Sequence, residues 1–114
     1  MEFNVEKIED VAIVTIPVKT LEMKNIPEFK RDIGPVLEAN GKVVFDMSQM
    51  EFIDSSGCGS ISFCVRKIKE KGNGSDLKIC GVSKQISATF RLIRLNKLVE
   101  IFESREEAIK AFAN

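Results

Sequence analysis

Lys42-Val43-Val44-Phe45-Asp46 is the segment that most constrains what this chain can fold into. Three consecutive apolar residues bounded by turn signals, with no alternation, read as a short strand buried on both faces. A strand of that kind needs helices packed over it, so it is expected at the centre of a sheet.

The flanking sequence supplies those elements. Residues 2–8 and 11–16 are rich in β-branched side chains and separated by Glu9-Asp10, which predicts a hairpin. Asn25 with Glu28 three residues later has the form of a capping box. Ile26, Phe29, Ile33 and Val36/Leu37 then recur at helical spacing as far as Asn40-Gly41. Gly34-Pro35 lies inside that pattern, and a proline there removes a donor and crowds the carbonyl of Arg31, which predicts a kink or a break.

Beyond the central strand, a connection over Ser48 to Ile53 leads to a second helix that starts at the serine pair and carries Ile61, Cys64/Val65 and Ile68 inward. Arg66, Lys67, Lys69 and Lys71 crowd its end, where cations complement the helix dipole, and Gly72-Asn73-Gly74 terminates it. Leu77–Val82 reads as a strand. Ser83 caps a third helix with Ile86, Phe90 and Ile93 on one side, ended by a left-handed Asn96. Val99–Phe102 adds a strand, and Ser104 with Glu107 opens a closing helix that turns Ala108, Ile109 and Phe112 inward.

The expected order is β-β-α-β-α-β-α-β-α, an α/β class fold with a mixed sheet and helices packed on it. At 114 residues the chain is expected to form one domain over 1–114.

Composition narrows the function classes. Seventeen basic residues balance seventeen acidic ones, so no global field draws in nucleic acid or an anionic membrane. No stretch has the length of a membrane span and no leader pattern is present, so a cytoplasmic location is expected. The chain has no histidine, which removes the commonest general base and the commonest nitrogen ligand for metals. Cys58, Cys64 and Cys80 form no C-x-x-C pair and read as buried small hydrophobes, so neither a metal nor any other cofactor is expected.

One segment exceeds what folding requires. In Asp54-Ser55-Ser56-Gly57-Cys58-Gly59, three short polar residues lie in a row where one suffices to cap a helix, and Asp54 or Ser55 can serve. The two glycines lower helix propensity by about 1 kcal/mol each. They are read as leaving the serine hydroxyls uncovered and letting a partner backbone approach, which suits a docking surface.

Asp46-Met47-Ser48 followed by Phe52-Ile53-Asp54-Ser55-Ser56-Gly57-Cys58-Gly59 resembles the anti-sigma-factor antagonists built on the STAS domain. Their motif is Asp-Leu-Ser and then Phe-Ile-Asp-Ser-Ser-Gly-Leu-Gly. The resemblance implies a non-enzymatic switch. Ser56 is the phosphoacceptor for an anti-sigma factor that is itself a serine kinase, the unphosphorylated chain holds that kinase, and the sigma factor goes free. A serine phosphatase is the further partner implied. Asp54, Ser55, Gly57 and Gly59 frame the partner site. Glu22, in Lys19-Thr20-Leu21-Glu22, stands where many members carry an aspartate after glycine, and is placed there too.

Two other readings compete with this one. An enzyme with a serine nucleophile lacks a histidine base and a G-x-S-x-G elbow. A STAS adaptor in a lipid transporter or signalling scaffold, never phosphorylated, is the alternative.

Overall fold

A computed structural model describes residues 1–113. The hairpin forms from β1 (Asn4–Ile8) and β2 (Val11–Thr15), paired antiparallel about a turn in which Glu9 takes φ 58°. β3 (Thr20–Leu21) and α1 (Ile26–Ala39) follow, then the central strand β4 (Lys42–Asp46), β5 (Phe52–Ile53) and α2 (Ser55–Lys69). β6 (Asp76–Cys80), α3 (Lys84–Leu92), a 3-10 turn at Leu95–Lys97, β7 (Ile101–Phe102) and α4 (Arg105–Ala113) complete the described chain. Two strands of two residues each, β3 and β5, are therefore added to the expected order.

The main sheet runs β1-β2-β4-β6-β7, mixed as expected, with β4 in the middle and parallel to both neighbours. Strand periodicity divides the core. Val43 and Phe45 face the larger side with Ile61, Val65 and Ile68 of α2 and Phe29 and Ile33 of α1. Val44 faces the other side, with Val11, Ile13, Cys80 and Ala108 of α4. All three β4 residues are fully buried. On the α4 side the buried Lys78 ammonium contacts Asp76 and Glu100 and lies 4.6 Å from the centre of the Phe112 ring, so it is paired rather than stranded.

Three local expectations are corrected. The α1 helix runs unbroken through Pro35, because both Pro35 and Arg31, whose carbonyl loses its partner, are exposed to water, while Ile33 and Leu37 anchor the buried face. Asn25 makes no capping bond to α1; its side chain turns back to the β3 loop. The left-handed residue after α3 is Arg94, at φ 65°, and Asn96 sits in the 3-10 turn.

Arg66, Lys67 and Lys69 lie in the last turn of α2 as expected, whereas Lys71 serves a different helix. Lys71 donates to the carbonyls of Leu37, Glu38 and Asn40 at 2.7, 3.0 and 2.9 Å, so it satisfies the free end of α1. Gly72, Asn73 and Gly74 all take positive φ and end the α2 segment as expected.

Candidate partner-binding site

The site is assembled by two of the three two-residue strands, β3 and β5. β3 and β5 pair in parallel with Thr20 opposite Phe52 and Leu21 opposite Ile53. Glu51 and Phe52 donate backbone N–H groups to the Lys19 carbonyl at 2.7 and 3.1 Å, and Asp54 donates to that of Leu21 at 3.2 Å. This ladder brings the loop carrying Glu22 beside the start of α2, 30-odd residues later in sequence.

Asp54 joins the two. One carboxylate oxygen accepts from the Gly57 N–H at 2.7 Å, which makes Asp54 the N-cap of α2. The other accepts from the Met23 N–H at 3.1 Å. The loop is fixed a second time by Asn25, which accepts from the Glu22 N–H at 2.9 Å and donates to the Thr20 carbonyl at 2.8 Å. Glu22, Asp54, Ser55 and Ser56 are thereby gathered at one end of the molecule.

Ser55 occupies the first position of α2 and Ser56 the second. Ser55 is exposed and caps nothing, while Ser56 is half-buried. Of the two candidates for the cap, Asp54 serves and Ser55 does not, because the carboxylate of Asp54 is the stronger acceptor and already occupies the Gly57 N–H.

The glycines differ. A Cβ on Gly57 would lie 2.3 Å from the Leu21 carbonyl oxygen and 2.5 Å from Ile53 Cγ1, so this glycine lets β3 cross the first turn of α2. The backbone that approaches it belongs to the chain itself. Gly59 is exposed and a Cβ there would meet nothing within 4 Å, so the packing of the domain does not require it. Met23 and Phe52, 73% and 46% exposed, place apolar surface beside these polar groups.

Cys58 packs inward beneath the serines, and burial, followed by the Asp54 carboxylate, pushes its thiol up to about 11. It is neutral and serves as core. No group of three or more His, Cys, Asp or Glu residues able to hold a metal occurs among the described residues.

One supporting pair had not been expected. Asp46, at the end of β4, accepts from the Ser48 N–H at 2.9 Å and from Arg105 Nε at 2.6 Å, and Arg105 also reaches Thr15 Oγ1 at 3.2 Å. Arg105 opens α4, the end of a helix where a cation is disfavoured, and that misplacement was the available sign that it serves another partner.

Comparison with known proteins agrees with the resemblance. The STAS domain model matches residues 2–108, and the chain belongs to the STAS domain family. An anti-sigma-factor antagonist (STAS) domain protein from Planctomyces limnophilus superposes with a TM-score of 0.88 at 18% identity, covering 98% of each chain. The Bacillus cell fate determinant SpoIIAA in its phosphorylated form gives a TM-score of 0.67 at 17% identity, covering 96% of this chain and 98% of that one. The inward-facing murine Solute Carrier 26 family member A9 anion transporter matches 96% of this chain with 19% of its own, at a TM-score of 0.81 and 18% identity.

Proposed function

We propose that this chain is an anti-sigma-factor antagonist: it binds an anti-sigma factor with serine kinase activity while Ser56 carries a free hydroxyl, and releases it when Ser56 is phosphorylated. The observation that carries this reading is the Asp54 carboxylate held between Gly57 and Met23. It fixes two serines, an acidic residue and two exposed apolar side chains on one surface. A phosphorylated form of SpoIIAA, which shares this fold, is a second support.

The physical account is local. A phosphate on Ser56 adds about −1.5 to −2 charges at the second position of α2, close to the positive end of the helix dipole and to the fixed carboxylate of Asp54. The helix end stabilises it within the domain, whereas a partner surface packed against Glu22, Met23 and Ser56 faces three negative groups instead of two. Binding is lost without refolding. A serine phosphatase reverses the step.

The same domain shape inside an anion transporter favours a second reading, in which the chain is an adaptor in a transporter or signalling scaffold and Ser56 is never modified. Purification from the host followed by phosphosite mapping separates the two. Phosphate on Ser56 with a co-purifying kinase supports the switch, and an unmodified Ser56 with transporter subunits supports the adaptor.

A further inference from the structure

A cleft of about 310 Å³ runs along α2 from Ser55 past Gly59 and Ser62 to Arg66, with Ile93 and Arg94 forming its opposite wall. Its charged lining is basic alone. Arg66 and Arg94 contribute two guanidinium groups, and no carboxylate lines it. Neither arginine forms an ion pair among the described residues, although the chain as a whole is electrically balanced.

Two further features are unexplained by folding. Gly59 gives the cleft its open floor, yet a Cβ there would touch nothing in the domain. Arg94 adopts φ 65° and ψ 23°, a left-handed conformation that glycine or asparagine would hold with less strain. A large cation is therefore displayed at the one position between α3 and the 3-10 turn where backbone geometry argues against it. Ile93, which lines the cleft, is 48% exposed, and its neighbour in the chain, Leu92, is 85% exposed, so apolar contact is offered as well as charge.

We infer that this cleft receives an acidic segment of the partner protein, one that sets carboxylate side chains against Arg66 and Arg94 and an apolar side chain against Ile93. The inference rests on the partner-binding reading above and extends that surface along α2. Planar guanidinium groups bind carboxylates through paired hydrogen bonds, which makes arginine suited to such a contact. The cleft is at the lower limit of cavities that enclose small ligands, roughly 300 to 1,000 Å³, and its exposed apolar rim fits a polypeptide better than a free anion.

The test uses the isotopically labelled chain and a capped peptide, acetyl-Glu-Leu-Glu-Glu-Leu-Glu-amide, with its lysine counterpart as control. The glutamate peptide is expected to shift the backbone amides of Gly59, Ser62, Ile93 and Arg94, and raising ionic strength from about 0.02 M to 0.3 M should reverse the shifts. The double variant Arg66→Glu/Arg94→Glu is expected to lose at least tenfold in affinity, with an unchanged amide spectrum elsewhere. Arg66→Gln/Arg94→Gln removes the charges without adding new ones and should give a smaller loss.

Equal shifts with the lysine peptide, no shifts at these amides, or undiminished binding by both variants would overturn the inference. So would displacement of the peptide by inorganic phosphate at equal concentration, which would mark a small-anion site instead. The peptide result does not depend on Ser56. Peptide binding with no phosphate ever found on Ser56 would sink the switch and leave the cleft standing. Normal labelling of Ser56 with no peptide binding would do the reverse.

Discussion

The backbone N–H of Met23 donates to the carboxylate of Asp54 across 31 residues of sequence, at 3.1 Å, while the same carboxylate caps α2 through Gly57. Asp54→Asn separates the two roles. Its amide oxygen can keep the Gly57 bond, but its NH2 group faces the Met23 N–H donor to donor. The variant is expected to melt within a few degrees of the wild type while the amides of residues 22–24 exchange faster. Asp54→Ala loses the cap as well and should cost about 1 kcal/mol, read by chemical denaturation.

The serines are distinguished by substitution. Ser55→Ala should change stability by less than about 0.5 kcal/mol, because its hydroxyl caps nothing and is exposed. With the cognate kinase and ATP, it should still take phosphate. Ser56→Ala should stay folded, take none, and hold the kinase permanently; Ser56→Asp should weaken that complex less than phosphate does. Mass spectrometry of the labelled proteins decides the matter, and label kept in Ser56→Ala but lost from Ser55→Ala would move the acceptor to Ser55.

The two glycines should respond to alanine with opposite signs. Gly57→Ala forces a methyl group to within 2.3 Å of a backbone oxygen, and overpacking outweighs the gain in helix propensity. A loss of about 2 kcal/mol is expected. Gly59→Ala meets no atom and should gain up to about 1 kcal/mol. Urea unfolding of both variants measures the difference directly.

Asp46 makes stability depend on acid. Burial raises its carboxyl, but the Ser48 and Arg105 hydrogen bonds outweigh burial and hold it below the ordinary 3.8. A depressed folded-state value means that the contribution is complete above the ordinary carboxyl range and is lost as pH falls through the lower value. Asp46→Asn should therefore melt below the wild type at neutral pH, and the gap should narrow as pH falls below the ordinary carboxyl range. A gap that is constant with pH would show that the carboxylate charge contributes nothing.

Much of this molecule was legible along the chain because the relevant signals are local. The uninterrupted Val43-Val44-Phe45 run predicts a strand covered on both faces, and it lies between the α2 and α4 sides of the sheet. Ser83 and Ser104 accept from the backbone N–H groups of Ile86 and Glu107, as their spacing predicts. Such features depend on residues within one turn of helix or one strand length, and the motif from Asp54 to Gly59 is likewise contiguous.

Tertiary structure decided what depends on distant chain segments meeting. Two residues are too few to show a period, so β3 and β5 were invisible until they paired, and with them the hydrogen bond from Met23 to Asp54 at the α2 start. Asn25 had a plausible local role as a cap and took a different one, because the β3 backbone offered it both a donor and an acceptor. The role of Gly57 followed from the same crossing: the missing side chain is plain along the chain, but that the Leu21 carbonyl fills its place emerges only where β3 crosses α2. Hydrogen bonds and steric exclusion act over a few ångströms in space whatever the separation along the chain, which is why Asp46 and Arg105, 59 residues apart, meet only once the sheet and α4 have been built.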